Sequence, residues 1–185
     1  GTTLATNAII ERKGAKTALI TTEGFRDVLE IGYESRYNQY DILIDKPATL
    51  VPRQLRFTVK ERVNVHGRVL TPLDEDGLQT TVSRIIDMDV DSVAIGFMHA
   101  YANPMHELKV RDYLKKIAPD LWVSLSSQVC PEIREFERFV TTSANAYVRP
   151  LMSRYLGRLH DLLKNHGVTC PMLMMSSGGG LLSLE

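Results

Sequence analysis

Short apolar runs bounded by glycine, proline or charged residues dominate the hydrophobic pattern of the chain. Three of these runs, residues 16–21, 92–98 and 121–125, have the length and composition of buried β-strands. An amphipathic helix begins at Pro104, after Asn103 as its cap, and lies between the second and third runs. Strand, helix and strand at this spacing predict a βαβ unit with parallel strands. The pattern therefore predicts an α/β fold in which helices flank parallel strands.

Three further helices are predicted from apolar residues at helical spacing. The first spans residues 3–13 and ends at Gly14, and the second spans residues 75–87 after an aspartate cap. The third helix, residues 134–166, is long, and Pro150 should kink or break it. The apolar residues of this long helix predict one buried face, which comprises Phe136, Val140, Ala144, Tyr147, Leu151, Tyr155, Leu159 and Leu162.

The remaining segments predict loops and smaller strands. Residues 32–54 are polar and aromatic without a clear period, which indicates a long surface loop. Residues 56–65 alternate apolar with charged positions, which is typical of strands with one solvent-facing side, and His66 and Gly67 suit a hairpin turn. Residues 172–175 predict a fourth strand, which a glycine-rich turn follows.

Composition narrows the possible functions. The chain is 44% hydrophobic and 24% charged, which suits a globular protein with a core, and its net charge is zero without a basic stripe. Nucleic acid and anionic membranes are therefore not expected as partners. No apolar run is long enough to span a bilayer and no signal peptide is visible, so we expect a cytoplasmic protein in which Cys130 and Cys170 are free, buried thiols.

The first candidate site is the start of the first helix. Thr2 or Thr3 could cap a backbone N–H group there, and Asn7 lies one turn further in. Free N–H groups and the positive end of the helix dipole suit an anion or a polar ligand oxygen. An ordinary capped helix explains the same residues.

Two other segments carry polar side chains that suit ligand contacts. Arg36 lies among tyrosines and could bind a carboxylate or phosphate, or it could stack on a tyrosine ring in a structural cluster. Glu137, Arg138, Thr141 and Asn145 come close to the end of the third strand, where ligands bind in parallel α/β folds. A solvated helix face with pairs such as Arg134 and Glu137 is the alternative.

The histidines and the glycine-rich turn give weaker signals. His99, His106 and Glu107 fit no standard spacing of metal ligands, so no metal site is predicted. We expect His106 to lie in solvent and Glu107 to support the start of its helix. The turn at residues 176–180 follows a strand and could wrap a phosphate, but it matches neither the Walker nor the dinucleotide-binding pattern.

Several motifs, in order and spacing, resemble those of the hydantoinase A / 5-oxoprolinase family. Arg36 with Tyr40 and Asp41 also fits this resemblance, which covers essentially the whole chain. The motifs lie at residues 1–14 (GTTLATNAIIERKG), 18–32 (ALITTEGFRDVLEIG), 103–107 (NPMHE), 137–142 (ERFVTT), 145–148 (NAYV) and 175–180 (MSSGGG). None of these motifs is specific alone, but their combination is.

The resemblance implies an actin-like ATPase fold built from ribonuclease-H-like halves. Residues 1–136 would be the later part of the N-terminal region, and residues 137–185 the beginning of the main domain. Family members use ATP and Mg²⁺ to open lactam or imide rings such as 5-oxoproline or N-methylhydantoin, and relatives carboxylate ketones such as acetone or acetophenone. A ring amide is a poor electrophile, and phosphorylation of its oxygen would create a good leaving group.

The resemblance also implies roles for several residues, and the sequence departs from the family pattern in one respect. Thr2, Thr3 and Asn7 would line a substrate or nucleotide cleft, while Arg36 and the segment from Glu137 to Asn145, with Arg138 and Thr141, would orient substrate or neighbouring loops. No catalytic residue is assigned. The Asp-x-Gly-Gly-Thr phosphate loops of the family are missing from the sequence. We therefore expect an internal fragment that is inactive alone.

Three functions remain open from the sequence. The resemblance implies a ring-opening hydrolase of a small cyclic amide, and a second, hydantoinase B-type subunit is an implied partner. The same scaffold would serve an ATP-dependent ketone carboxylase. A segment that only binds a partner subunit is the non-enzymatic reading.

Overall fold

A computed structural model describes residues 3–33, 40–43, 46–175 and 179–182. The α/β prediction is confirmed, because a four-stranded parallel sheet is flanked by helices. A short 3-10 helix, Arg53–Leu55, precedes the second strand. The helices are α1 (Leu4–Ile10), α2 (Val28–Ile31), α3 (Glu75–Asp87), α4 (Met105–Ile117), α5 (Ser126–Val129) and α6 (Glu135–Asn165). The strands are β1 (Thr17–Thr22), β2 (Arg56–Val59), β3 (Arg62–Val63), β4 (Val69–Thr71), β5 (Ser92–Gly96), β6 (Trp122–Leu125), β7 (Met174–Met175) and β8 (Leu181–Leu182).

The main sheet has the strand order β2-β1-β5-β6, and every neighbouring pair is parallel. Thr17 pairs with Ser92, and Ser92 pairs with Trp122 on the other side. The three predicted strands are therefore confirmed as β1, β5 and β6, of which β6 is buried only in its second half. The predicted βαβ unit is also confirmed, because α4 connects the parallel strands β5 and β6.

The segment predicted as solvent-facing strands divides into two parts. Strand β2 is parallel to β1 and mostly buried, so the prediction of a solvent-facing side was wrong for this strand. Its first residue, Arg56, is buried because it donates to the Val51 carbonyl and the Glu30 carboxylate. The predicted hairpin exists as β3 and β4, which are antiparallel, and Gly67 takes a positive φ of 77° in the connection.

Side chains alternate between the two faces of the main sheet because successive strand residues point in opposite directions. Ala18 and Ile20 of β1 join the cluster beneath α3 and α4, whereas Leu19 joins the cluster on the opposite face. The first cluster includes Phe57, Leu78, Val82, Ile85, Val93, Ile95, Val110, Leu114 and Leu125. The second includes Leu29, Val51, Leu55, Ala94, Phe139 and Ala146.

Helix α6 confirms the predicted long helix, and it continues through Pro150 instead of breaking there. Its buried face differs from the predicted one, because Val140 is 37% exposed whereas Arg138, Phe139 and Thr142 are fully buried. Phe139 packs so closely on Gly96 that a Cβ atom at position 96 would lie 2.5 Å from its ring. Helix α6 therefore packs closely on the sheet at Gly96, where the Phe139 ring leaves no space for a larger residue.

Helix α1 is shorter than predicted and ends differently. Arg12 takes the left-handed conformation after the helix, with a φ of 56°, so the prediction that Gly14 would be the stop was wrong. A Cβ atom at Gly14 would lie 2.0 Å from the Tyr147 ring, and the Ala15 N–H group donates to the Tyr147 carbonyl at 2.8 Å. Gly14 therefore serves close packing rather than helix termination.

The chain divides into two compact units, residues 1–150 and 151–185. In the second unit, the predicted fourth strand is reduced to β7, which pairs antiparallel with β8 and not with the main sheet. Residues 176–178 of the glycine-rich turn lie outside the described residues. Both cysteines are free as predicted, but the prediction that they are buried was wrong, because Cys130 is half-buried and Cys170 is exposed. Within the described ranges, no helix is long and apolar enough to cross a membrane.

Candidate functional site at the carboxyl ends of the parallel strands

Buried polar side chains gather at the carboxyl ends of the main-sheet strands, where parallel α/β folds bind ligands. They come from the end of β1, the residues after β2, the first turns of α4 and α6, and the start of α5. Each of them is at most 3% exposed. We call them the carboxyl-end cluster, which comprises Thr22, Glu61, His106, Glu107, Ser126 and Arg138.

Glu61 lies at the centre of one half of this cluster. The Thr22 hydroxyl donates to Glu61 Oε1, and His106 Nδ1 lies 2.7 Å from Glu61 Oε2. The Thr22 oxygen also accepts the Met98 N–H group at 2.9 Å. Both carboxylate oxygens are thus hydrogen-bonded, and the bond to Nδ1 fixes the orientation of the His106 ring. This half ties α4 to the ends of β1 and β5.

Glu107 is the centre of the other half. Its carboxylate accepts the Phe97 N–H group at 3.0 Å, the Ser126 hydroxyl at 2.5 Å and the Ser127 N–H group at 2.9 Å. Burial raises the pKa of the Glu107 carboxyl above its ordinary value, and the hydrogen bonds from Ser126 and Ser127 oppose that rise. The three donors fix the chain directions after β5 and β6.

Arg138 brings a buried positive charge from α6 to the same edge. Its Nη2 donates to the Phe97 carbonyl at 2.6 Å, and Nη1 donates to the Glu132 carbonyl at 3.3 Å. The guanidinium also lies 5.3 Å from the centre of the Tyr101 ring and 3.8 Å from the Glu135 carboxylate. Burial lowers the pKa of Arg138 from its ordinary value, although an arginine stays charged near neutral pH.

His99 and Glu135 form the more accessible rim of the cluster. His99 follows β5 with a left-handed φ of 55°, an uncommon conformation for a residue other than glycine. Its Nδ1 lies 3.2 Å from the Tyr101 hydroxyl and 3.9 Å from the Glu135 carboxylate. The side chains of His99 and Glu135 are 22% and 24% exposed. These two side chains are accessible to a ligand, whereas the buried Glu107 and Arg138 bind backbone groups.

Two of the three residues of the first predicted site lie at the surface. Thr3 and Asn7 are exposed. Thr3 takes the N-cap position of α1 without a side-chain cap bond, so the expected cap by Thr3 does not form. Thr2 and Arg36 lie outside the described residues.

The predicted residues of α6 separate from one another. Arg138 belongs to the carboxyl-end cluster, whereas Thr141 is exposed. Glu137 is half-buried beside Arg134 at 3.7 Å, and Asn145 Oδ1 accepts the Ser124 hydroxyl at 2.9 Å. Only Arg138 of this segment is therefore brought to the carboxyl-end cluster.

Sequence reasoning missed Glu61, His106, Glu107 and Ser126 as members of a common site. His106 was expected in solvent and is 3% exposed, and Glu107 accepts bonds from outside its own helix, so both expectations were wrong. The sequence did indicate that Ser126 lies at the carboxyl end of a strand, because it directly follows the predicted strand at residues 121–125. The described part of the chain holds no group of three or more His, Cys, Asp or Glu side chains suited to a metal ion.

Comparison with family models and known proteins identifies relatives along the whole chain. The model of the hydantoinase/oxoprolinase N-terminal region matches residues 1–118, and the hydantoinase/oxoprolinase model matches residues 138–185. Caprolactamase subunit alpha from Pseudomonas jessenii is 37% identical over 98% of this chain and 26% of its own length. 5-Oxoprolinase 1 from Arabidopsis thaliana is 34% identical over 98% of this chain and 16% of its own length. The chain thus spans about a quarter or less of these two curated relatives.

Solved structures share the fold described above. The crystal structure of ATP-dependent caprolactamase from Pseudomonas jessenii gives a TM-score of 0.91 at 36% identity, over 98% of this chain and 26% of that chain. Nucleotide-free acetone carboxylase gives a TM-score of 0.82 at 28% identity, over 98% of this chain and 27% of that chain. Together with the family models, these similarities show that the chain belongs to the hydantoinase/oxoprolinase family.

Proposed function

We propose that the chain is part of an ATP-dependent enzyme that opens a cyclic amide, such as a hydantoin or 5-oxoproline. The observation that carries this proposal is the likeness to ATP-dependent caprolactamase, with a TM-score of 0.91 over 98% of the chain. A caprolactamase is named for a lactam, and a 5-oxoprolinase is a further relative. A ring amide is a poor electrophile, which explains why its opening would be coupled to ATP.

Thr3 and Asn7 are exposed on a short helix, and the described residues hold no group of three or more His, Cys, Asp or Glu side chains suited to a metal ion. The family's phosphate-binding loops are also missing from the sequence. In this proposal, nucleotide binding belongs mainly to other parts of a longer protein.

The carboxyl-end cluster would support that longer active site by fixing its scaffold. Arg138 and Glu107 both bind the backbone of Phe97, one through its carbonyl and the other through its N–H group. His99, two residues further on, would then be presented at a fixed position at the rim. We propose that residues 1–136 belong to the N-terminal region of the longer protein and that the main domain begins near Glu137.

A ketone carboxylase is the second candidate, because the fold also matches acetone carboxylase with a TM-score of 0.82. Either enzyme would work with a second subunit of the hydantoinase B type, since the caprolactamase relative is itself named as a subunit. A purely subunit-binding role is the non-enzymatic alternative.

The deciding experiment measures ATP hydrolysis by the full-length protein with its partner subunit. 5-Oxoproline, N-methylhydantoin and caprolactam are added separately, and acetone with bicarbonate is added in a parallel reaction. We expect a cyclic amide to stimulate hydrolysis and the ketone to have no effect. Stimulation by the ketone alone would favour the carboxylase, and no stimulation by any of them would contradict both enzymatic proposals.

A further inference from the structure

The strand order of the main sheet reverses direction between β1 and β5. The chain passes from β1 to β2 on one side through a segment that includes α2, and from β5 to β6 on the other side through α4. Leu29 of α2 belongs to the second hydrophobic cluster and Val110 of α4 to the first, so these two helices lie on opposite faces of the sheet. The carboxyl ends of β1 and β5 therefore border the place where open α/β sheets usually bind ligands.

His99 lies at this reversal, shortly after β5 ends at Gly96. Its side chain is 22% exposed, and its left-handed φ of 55° is the kind of backbone outlier that gathers at active sites. We propose that His99 is a catalytic residue of the longer enzyme, whose Nε2 atom takes a proton from the water that attacks the ring carbonyl. The proposal rests on the proposed function for the reaction, whereas the location and the orientation of the imidazole come from the described residues.

Two neighbours orient the His99 ring through its Nδ1 atom. The Tyr101 hydroxyl lies 3.2 Å from Nδ1, and the Glu135 carboxylate lies 3.9 Å from it. A carboxylate on this side favours the tautomer that carries its proton on Nδ1, which leaves the lone pair on Nε2. Nε2 has no hydrogen-bond partner within the part of the chain that the structure describes. A partly exposed imidazole whose other nitrogen is held by orienting groups is the usual arrangement of a general base.

Arg138 holds both orienting groups in place. Its guanidinium lies 5.3 Å from the centre of the Tyr101 ring and 3.8 Å from the Glu135 carboxylate. Arg138 is itself fixed, because its Nη2 donates to the Phe97 carbonyl at 2.6 Å and its side chain is fully buried. Among the described residues, the charged and titratable groups around His99 are thus Tyr101, Glu135 and, behind them, Arg138. A structural role of His99 would use Nδ1 alone, whereas the accessible Nε2 is explained by contact with a ligand.

The proposed step conserves atoms and charge without an oxidant or a reductant. An O–H bond of water breaks, an O–C bond forms at the ring carbonyl carbon, and the π electrons of the carbonyl move to its oxygen. The proton goes to Nε2 of His99. The carbonyl π bond then re-forms while the C–N bond of the ring breaks, and His99 returns the proton to the departing nitrogen. His99 thus acts first as general base and then as general acid, and it is unchanged after one ring opening.

Ring opening by the full-length protein with its partner subunit tests the proposal, with 5-oxoproline, N-methylhydantoin and caprolactam as substrates. His99→Asn removes the base but suits the left-handed backbone, which asparagine adopts readily. We expect kcat to fall about 100- to 10,000-fold, while KM changes less than about 3-fold. His66→Asn is the matched control and should be unchanged, because His66 is exposed in the connection between β3 and β4.

The pH profile separates a catalytic role of His99 from a structural one. A protonated imidazole cannot accept a proton, so the activity of wild type should fall toward low pH. This fall should be absent from the residual activity of His99→Asn, whereas a structural role would lower activity without changing the shape of the profile. Tyr101→Phe and Glu135→Gln remove one orienting group each, so they should lower kcat about 10-fold and keep the fall at low pH.

Chemical modification gives a readout that does not depend on turnover. Diethyl pyrocarbonate acylates accessible imidazole nitrogen atoms, and mass spectrometry of peptides locates the modified histidines. A cyclic amide that the enzyme opens should slow the modification of His99 and leave that of His66 unchanged. Equal rates at His99 with and without the cyclic amide would contradict its contact with the substrate.

The outcomes keep the proposal for His99 distinct from the proposed function. Circular dichroism checks that each variant is folded. Ring opening by wild type that continues at the same rate in His99→Asn would overturn the role of His99 and leave the proposed function standing. Failure of wild type to open any of the cyclic amides would contradict the proposed function, and the role of His99 in it would be contradicted as well.

Discussion

Thr22 connects two buried groups that would otherwise be unpaired. Its hydroxyl donates to the Glu61 carboxylate and accepts the Met98 N–H group. Thr22→Val keeps the shape of the side chain but removes both bonds, so we expect a loss of about 2–3 kcal/mol in the free energy of unfolding. Urea denaturation monitored by circular dichroism measures this loss.

The neighbouring Thr21 provides the control for that substitution. It is equally buried in the same strand, but its hydroxyl has no partner among the described residues. Thr21→Val should therefore change the free energy of unfolding by less than about 0.5 kcal/mol or increase it. Equal losses in the two variants would show that burial, and not hydrogen bonding, decides the outcome.

Glu107 should make stability depend on pH. Burial raises the pKa of its carboxyl, so the folded protein retains a proton that the unfolded chain releases. The stabilising contribution is complete below the ordinary glutamate pKa and is lost as the pH rises through the raised pKa. Because Glu107→Gln does not titrate, the advantage of wild type over this variant should decrease as the pH rises above the ordinary glutamate pKa of about 4.

Denaturation of both proteins across this pH range provides the measurement. An advantage that grows with pH would mean that the donors from Phe97, Ser126 and Ser127 outweigh burial and lower the pKa of Glu107 instead.

The burial and the hydrogen-bond partners of polar residues were harder to predict than the positions of helices and strands. Arg138 and Thr142 are fully buried, although a solvated helix face was one of the two interpretations of their segment. Their partners are backbone groups, and the Phe97 carbonyl that receives Arg138 lies 41 residues away in the chain. The partner of His106 is 45 residues away. Periodicity reports only local neighbours, so it could not reveal these bonds.

At the scale of elements, Gly96 sets the distance between β5 and α6. Gly96→Ala would place a Cβ atom 2.5 Å from the Phe139 ring, so the helix or the ring must move. We expect a loss of about 1–3 kcal/mol in the free energy of unfolding, the usual cost of overpacking. Thermal and urea denaturation measure it.

Gly157→Ala is the matched control within α6. A Cβ atom at position 157 would have no neighbour within 4 Å, and alanine favours helix more than glycine does. This variant should keep or gain stability, up to about 1 kcal/mol. Destabilisation in both variants would show that glycine-to-alanine changes are harmful for a reason other than the contact with Phe139.

Elements with strong local signals were predicted well. Asp74 accepts the Gly77 N–H group as a cap, and α3 has the bounds that its apolar spacing predicts. Strands β1 and β5 are buried along their whole length, and β6 is buried in its second half; all three have the sequence of short apolar runs. Strand β2 was expected to have one solvent-facing side because Arg56 is charged, whereas Glu30 and the Val51 carbonyl make the burial of Arg56 possible.

At the scale of the whole molecule, the first compact unit contains both hydrophobic clusters. Their buried members lie between Ala18 and Ala146. A chain shortened to residues 1–150 should therefore unfold cooperatively, with a melting temperature close to that of residues 1–185. Thermal unfolding monitored by circular dichroism tests this, and a gradual loss of signal without a transition would contradict it.

The strand order β2-β1-β5-β6 has a consequence for how the protein reaches its native state. Among the four strands of this sheet β1 is synthesised before the others, yet its partner Ser92 comes 75 residues after Thr17. Contacts between such distant segments form slowly, because a long loop must close before they gain any energy. On the ribosome, an apolar strand with unpaired edges would wait for β2 and β5 to emerge. Transient shielding of residues 17–22 during translation should therefore govern the yield of folded protein.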